Sequence, residues 1–350
     1  MMRTLVVVLN WNGLDDTLAC LDALERQTHD AFDVLVIDNG SAGDDAARLR
    51  ERIGHAALGV TPHAGRREFA LHEEPENLGF AGGVNVGIGH ALDTGYEAVA
   101  LLNNDAVPDP TWLAALDAAL ERTGASIATG LMLRASDDPI LNGTIDTAGD
   151  AMSTWGMPFP SARGLDAAAA PEAAPVFSAS GGASLFRREL FVDIGLFDDV
   201  FFAYFEDIDV GFRARLRGHA IVADPAAVVH HKIGASSARI PGFTVRQNFQ
   251  NLLVLLTKNV PRGLRRVILP RFALLYAMML AKATVTGSAR PAWTGALRGA
   301  RLALGHGLRE RRRIQGSRSA PTPDIAAMLT HDLPPEQHGM RKLLRFFGRR

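Results

Sequence analysis

The 350-residue sequence predicts an α/β fold, a mostly parallel sheet with helices on both faces, followed by a helical extension. Three observations predict it. Apolar runs without polar alternation, Leu5-Val6-Val7-Val8-Leu9 and Val34-Leu35-Val36-Ile37, suit strands buried on both faces. A helix-period segment with Leu14, Leu18, Leu21 and Leu24 separates them. Both strands stop at polar clusters, Asn10-Trp11-Asn12-Gly13 and Asp38-Asn39-Gly40-Ser41, where open α/β sheets bind ligands.

Further along, Gly87 to Gly95 has helical character, and Ala98 to Leu102 reads as a third strand closing on Asn103-Asn104-Asp105. Pro108 and Pro110 end that turn, and Trp112 to Arg122 forms the next helix. From Ala135 to Ser178 the period is lost among Gly, Pro, Ala and Asp, as in loops that carry specificity. A strand signal returns at Gly181 to Phe186 and leads into a helix over Arg187 to Ile194. Ile221 to Ala223 and Ala227 to Val229 bracket Asp224-Pro225 and run on to His230-His231. Beyond Phe243 the pattern is helical. A catalytic domain is expected over residues 1–245, a basic amphipathic helical region over 246–318 and a loose, Pro-containing tail over 319–350.

A 47% hydrophobic and 21% charged composition excludes a disordered chain. The formal net charge of -1 hides an asymmetry. Lys258 to Arg318 holds 14 Lys+Arg against the single acid Glu310, a balance of +13, which leaves -14 for the remainder. In this section Arg262, Arg265, Arg266, Arg271 and Lys282 flank apolar stretches such as Phe272 to Ala281. That pattern suits helices lying on an anionic membrane surface, with no nucleic acid as partner. The apolar section Val267 to Thr286 is interrupted by Arg271 and Lys282 and is too short and charged for a span. One cysteine, Cys20, rules out an intramolecular disulfide and fits a reducing compartment as a buried, inert thiol. With no secretory leader pattern, a cytoplasmic position on the inner face of the cell membrane is expected.

The strongest local chemistry is the run from Phe202 to Phe212, where Glu206, Asp207 and Asp209 sit among aromatic and apolar residues. Buried charge is costly unless it is paired or kept for a task, so the cluster reads as an active-site rim. Asp207 is assigned as general base and Glu206 as a supporting or substrate-orienting acid, while Asp209 suits a cap for the helix over Val210 to Arg217. Asp38 can accept hydrogen bonds from a ribose or a base, although Asp-Asn-Gly is also ordinary turn chemistry. Asn77 to Gly87 places glycines before a helix, which suits either a diphosphate or tight packing. Asn103-Asn104-Asp105 offers oxygen ligands for Mg²⁺ or Mn²⁺, or a plain Asn-rich turn. His230 and His231 point in opposite directions from a strand, one toward the core and the other available as a metal ligand. No G-x-G-x-x-G follows the first strand, which counts against a dehydrogenase.

Taken in order, Val6 to Gly13, Ile37 to Ser41, Asn77 to Asn85, Leu101 to Asp105, Gly181-Gly182-Ala183, Gly195 to Asp198, Phe205 to Asp209 and His231-Lys232 resemble the motifs of family 2 glycosyltransferases. The likeness is closest to the rhamnosyltransferase-like branch and covers about residues 3 to 260. It implies a GT-A fold and inverting transfer from a nucleotide-diphosphate sugar, with dTDP-rhamnose favoured, to a lipid-linked or cell-envelope glycan. On this resemblance Asp38 contacts the nucleoside, and Asn10, Asn12, Asn77, Gly79, Gly82, Asn85, Asn103, Asn104 and Gly182 fall in the donor site. Asp105 matches the last acid of the metal-binding D-x-D motif, His231 completes the metal site, and Asp207 matches the base. Asn103 departs from the Asp usual at the first D-x-D position. That departure keeps a non-catalytic glycan-assembly relative as a competitor. A sugar-1-phosphate nucleotidyltransferase, the other competitor, would carry a G-x-G-T-R loop after the first strand.

Overall fold

A computed structural model describes residues 1–54, 67–232 and 240–331. Strands β1 (Thr4–Asn10), β2 (Phe32–Asn39), β3 (Phe69–Glu74) and β4 (Ala98–Asn103) form a parallel block ordered β4-β1-β2-β3. Helices α1 (Leu14–Glu25), α2 (Asp45–Ile53) and α3 (Gly79–Thr94) belong to its crossovers. Register pairs Asn10 with Asp38 and Leu9 with Asn103, so the polar strand ends line up along one edge.

The next elements are β5 (Ala106–Pro108), α4 (Trp112–Thr123), β6 (Ile127–Arg134), β7 (Ile145–Thr147), β8 (Asp150–Ser153), β9 (Pro158–Pro160) and β10 (Ala174–Pro175). They are followed by β11 (Ala183–Arg187), α5 (Arg188–Ile194), α6 (Glu206–Arg217) and β12 (Ile221–His231). The sheet's main path runs β10-β12-β6-β11-β4-β1-β2-β3, with β5 paired to β12 and β7 to β6, β11 antiparallel between β4 and β6, and β12 parallel to β6. Strand alternation explains the unbroken apolar runs: Val6, Val8, Val34 and Val36 face α1 and α4, while Leu5, Val7, Leu35 and Ile37 face α3, α5 and α6.

The chain departs from the expected pattern at several points. Phe69–Glu74 and Ile127–Arg134 are strands that the apolar runs did not reveal, so Ala98–Asn103 is the fourth strand and not the third. The first mixes polar residues into an edge strand, and the second is interrupted by Gly130. A Cβ on Gly130 would lie 2.1 Å from the Ala227 carbonyl oxygen. The two apolar pieces around Asp224-Pro225 are one strand, β12, with a bulge between Ala223 and Val228. Helix α3 starts at Gly79, so the glycines lie inside the helix and not before it.

The C-terminal section comprises α7 (Phe243–Asn259), α8 (Arg265–Val285), α9 (Ala289–Leu302), α10 (Leu308–Gly316), α11 (Thr322–Ala327) and β13 (Leu329–Thr330). The boundary drawn between 245 and 246 falls within α7. Gly295 and Gly299 let α9 approach α7 closely, since a Cβ on either would lie 2.3 or 2.6 Å from a carbonyl oxygen of Arg246 or Gln250. The stretch from 319 is not loose as far as it is described. Ala320, Ile325 and Leu329 are buried, and β13 joins β8 in a small sheet with β9. Residues 332–350 lie outside the described residues. Arg262–Val285 is, by length and composition, long and apolar enough to cross a membrane, contrary to the expectation that it is too short.

Candidate active site

The first half of the site is the strand edge. Asn10 closes β1, where its side-chain nitrogen donates to Asp38 Oδ1 at 2.7 Å and its oxygen accepts from the Thr17 hydroxyl at 2.8 Å. Asp38 Oδ2 accepts from the Ser41 amide at 3.2 Å. The Asn12 amide donates to Ser41 Oγ at 2.9 Å, and Asn104 Nδ2 donates to Thr17 Oγ1 at 3.0 Å. Asn10, Asn12, Asp38 and Asn104 are therefore brought together in one buried network. Each amide or hydroxyl would cost about 1–3 kcal/mol if left without a partner, and here they satisfy one another.

The glycine-rich helix start does a different job from the one expected. Gly79 has φ +75°, and a Cβ there would lie 2.5 Å from the Phe202 carbonyl oxygen. That oxygen accepts from the Ala81 amide, and the Gly79 amide donates to Asn77 Oδ1 at 2.8 Å. Two of the amides expected bare for a diphosphate are thus engaged within the chain. Asn77 also accepts from Asn39 Nδ2, and Gly82 packs on Leu78. Asn85 exchanges two hydrogen bonds with the Phe197 backbone and donates to Asp199. Asn77, Gly79, Gly82 and Asn85 act here as braces between α3, the sheet and the 197–202 loop.

At the end of β4 the side chains converge on His231. Its Nε2 lies 3.2 Å from Asp105 Oδ1 and 3.4 Å from Asn103 Nδ2, while Nδ1 lies 3.1 Å from Asp146 Oδ2. Burial opposes a charge on this ring, but the two carboxylates outweigh it and raise the pKa to about 9. His230 turns outward to Asp109 at 3.4 Å and not into the core. Gly182 leaves room for Asn103, since a Cβ there would lie 3.0 Å from Asn103 Nδ2. The donor set fits a divalent cation: Asp105 and His231 Nε2 are adjacent, and Asp146 on Nδ1 fixes the ring as a carboxylate–histidine pair does in metal sites. Among the described residues no group of three or more His, Cys, Asp or Glu is arranged to hold a metal. Such a cation would draw its other ligands from a diphosphate and water, as Mg²⁺ commonly does.

The acidic segment forms the other half. Helix α6 begins at Glu206, preceded by positive φ at Phe202 (+60°), Tyr204 (+71°) and Phe205 (+70°). Non-glycine residues hold such conformations at a cost of about 1–3 kcal/mol each, so the surroundings must fix them. Helix α7 does so. Asn251, fully buried, donates to the carbonyl oxygens of Phe201, Ala203 and Tyr204 at 2.9, 2.9 and 2.8 Å, and Gln247 donates to Phe201 O at 3.0 Å.

Asp207 accepts from the Gly181 amide at 3.1 Å and from the Ile208 amide at 2.7 Å. Burial raises its pKa despite those amides. Glu206 is buried with Oε2 unpartnered, and burial together with the Asp207 charge pushes its pKa well up. Asp150, on β8, is likewise raised well up by burial and by Asp207. Asp209 does not serve as a cap. It is fully buried, bonded to Arg213 at 2.9 Å and to Asn259 at 2.7 Å, and paired with the buried Lys258 at 2.9 Å.

Sequence reasoning missed Asp146 and Asp150, which the successive short strands β7 and β8, in two different sheets, deliver to the two halves of the site. Their signal was two acids among small and apolar residues, Ile145-Asp146-Thr147-Ala148-Gly149-Asp150-Ala151, in a stretch without clear period. It also missed Gln247 and Asn251, buried amides at i and i+4 on a helix whose other polar residues gave no reason to single them out.

The model of glycosyl transferase family 2 matches residues 5–195, more than half of the chain. The low-salt glycan biosynthesis hexosyltransferase Agl10 of Haloferax volcanii is 24% identical over 211 residues, 60% of this chain and 61% of that protein. An N-acetylglucosaminyl-diphospho-decaprenol L-rhamnosyltransferase of Mycobacterium tuberculosis is 39% identical over 71 residues, 20% of this chain and 23% of that protein. The matches thus span less than two thirds of either relative. The solved mannosyltransferase PcManGT from Pyrobaculum calidifontis, in complex with GDP-Man and Mn²⁺, has a TM-score of 0.52 at 19% identity. It covers 93% of this chain and 86% of its own, a likeness of fold that agrees with the expected GT-A arrangement.

Proposed function

The chain belongs to glycosyl transferase family 2, and on that premise we propose that it transfers a sugar from a nucleotide-diphosphate donor to an acceptor hydroxyl with inversion. The observation that carries this is Asp207, a carboxylate whose proton affinity is raised by burial and which two backbone amides hold in place. In the transfer, Asp207 takes the acceptor's hydroxyl proton as that oxygen attacks the anomeric carbon. The new carbon–oxygen bond forms as the sugar–phosphate bond breaks, and the electron pair leaves on the diphosphate. Glu206 supports the segment, and the Asn10–Asp38 network presents the nucleoside end. A divalent cation, Mg²⁺ or Mn²⁺, on Asp105 and His231 would neutralise charge on the diphosphate. Donor binding is assigned to the strand edge, with Asn103 and Gly182 beside it.

Rhamnose from dTDP-rhamnose is the favoured donor and a lipid-linked or cell-envelope glycan the favoured acceptor. The family resemblance and the name of the mycobacterial relative support both. The +13 section supports a peripheral position on the cytoplasmic face of an anionic membrane. A thermal-shift panel of nucleotide sugars with Mg²⁺ and Mn²⁺ tests the donor, because a bound ligand stabilises the fold by mass action. Asp207→Asn should retain that shift and lose transfer. Unchanged turnover in this variant would remove the base assignment, and donor binding without turnover in the wild type would favour a non-catalytic relative.

A further inference from the structure

Helix α8 buries Ile268, Phe272 and Leu275 in the cluster it shares with α7. About a third of a turn away, an outer stripe carries Val267, Leu274 and Val285, all at least 40% exposed. Their spacings of 7 and 11 residues hold them within about 40° of one another around an α-helix. On α9, Trp293 and Leu297 are exposed one turn apart, and a π-helical turn over Ala303–Gly307 leads into α10 with Leu304 (72% exposed) and Leu308 continuing a second exposed apolar stripe. The Trp293 indole N–H donates to Thr284 Oγ1 at 3.0 Å, which ties the second stripe to the end of the first. The exposed residues Arg290, Arg298, Arg301, Arg309 and Arg312 lie on the same two helices and border the second stripe.

Single exposed apolar side chains are ordinary, whereas two joined stripes bordered by cations are not. We propose that this face enters the boundary between headgroups and acyl chains of an anionic bilayer, with α8 and α9 lying in its plane. The inner side of α8 is committed to α7, which leaves the outer stripe for lipid. Charge complementarity selects the occupant, because the flanking arginines match phosphate headgroups while the stripes match hydrocarbon. The inference rests on the membrane position given above and changes its nature: attachment is apolar as well as electrostatic.

The test uses the full chain with vesicles of phosphatidylglycerol and phosphatidylcholine, some carrying acyl-chain bromines. Binding should persist in about 1 M salt, where the Debye length is only about 3 Å. Bromines should quench a component of the tryptophan emission that disappears in Trp293→Phe. The double variant Leu297→Glu with Leu304→Glu should partition at least about tenfold less, a loss of about 1.4 kcal/mol, while its thermal unfolding stays that of the wild type. Binding abolished by salt, without quenching, would overturn insertion and leave an electrostatic membrane association intact. No binding at any salt would overturn the membrane position itself. A wild-type dimer in solution that the double variant loses, with no vesicle binding, would assign the face to a second copy and overturn the proposal.

Discussion

At the ends of β1 and β2 the polar side chains satisfy one another, whereas the segment opening α6 raises the proton affinity of Glu206 and Asp207 and leaves Glu206 partly unpartnered. The first region has ordinary strand backbone up to Asn10 and one left-handed residue, Asn12, whereas the second packs three left-handed non-glycine residues into four positions. On the proposed function, the difference separates two tasks. Recognition of a donor would be served by an internally satisfied edge. Removal of a proton would need a carboxylate held in a costly environment, and here the Gly181 and Ile208 amides hold Asp207 while α7 fixes the backbone before it.

Mutations should break this contrast in a graded way. Asp207→Asn is expected to lower turnover by roughly 10²–10⁴-fold with donor affinity kept, whereas Asp38→Asn should weaken donor binding and spare turnover at saturation. Steady-state kinetics on both variants decides it. Asp209→Ala should destabilise the fold by about 3–5 kcal/mol, because it strips a partner from the buried Lys258 and Arg213. Denaturant unfolding reads that loss, and a smaller effect would show that Asp198 and water take over. Asp146→Asn should weaken Mn²⁺ binding about 10–100-fold without touching the strand-edge network, as titration calorimetry in the presence of donor can measure.

Two smaller effects sharpen the contrast. Asn251→Ala should cost about 1–3 kcal/mol and lower kcat more than it changes the donor KM, since it frees three carbonyls beside Asp207. Equal changes in both parameters would argue against a role through the strained segment. Glu206→Gln should raise the melting temperature at about pH 8 and leave it unchanged at about pH 4. The sign follows from a folded pKa above the unfolded value. Its contribution is complete below the ordinary glutamate range and is lost as pH rises through the folded value. Asp198 behaves oppositely: Lys258 and His306 overcome burial and lower it to about 2, so its contribution is lost only in strong acid.

The parallel block was legible because two-sided burial writes itself as continuous apolar runs, and the polar strand ends marked the edge on which Asp38, Asp105 and His231 lie. Asp207 was legible because acids among aromatics are rare. Other features depend on contacts between distant segments. Gly83 and Gly87 are needed because a Cβ would lie 2.4 Å from Leu9 or 2.6 Å from Val7, which no local pattern records. Asp150 matters because its bridge to Ser178, whose hydroxyl donates to the Asp207 carbonyl, brings it beside α6. Asp209 looks like a cap in one dimension and is an ion-pair hub in three, since Lys258 and Asn259 arrive from α7.

Helix α7 has two faces, and both are spoken for. One grips the carbonyls that precede Asp207, and the other takes the close backbone approach of α9 at Gly295 and Gly299. The proposed base and the proposed bilayer-facing platform are consequently both braced by one continuous helix. If that platform sits in a lipid surface, the helix works as a depth gauge: it holds Asp207 at a set height, and the hydroxyl presented at that height is the one in reach.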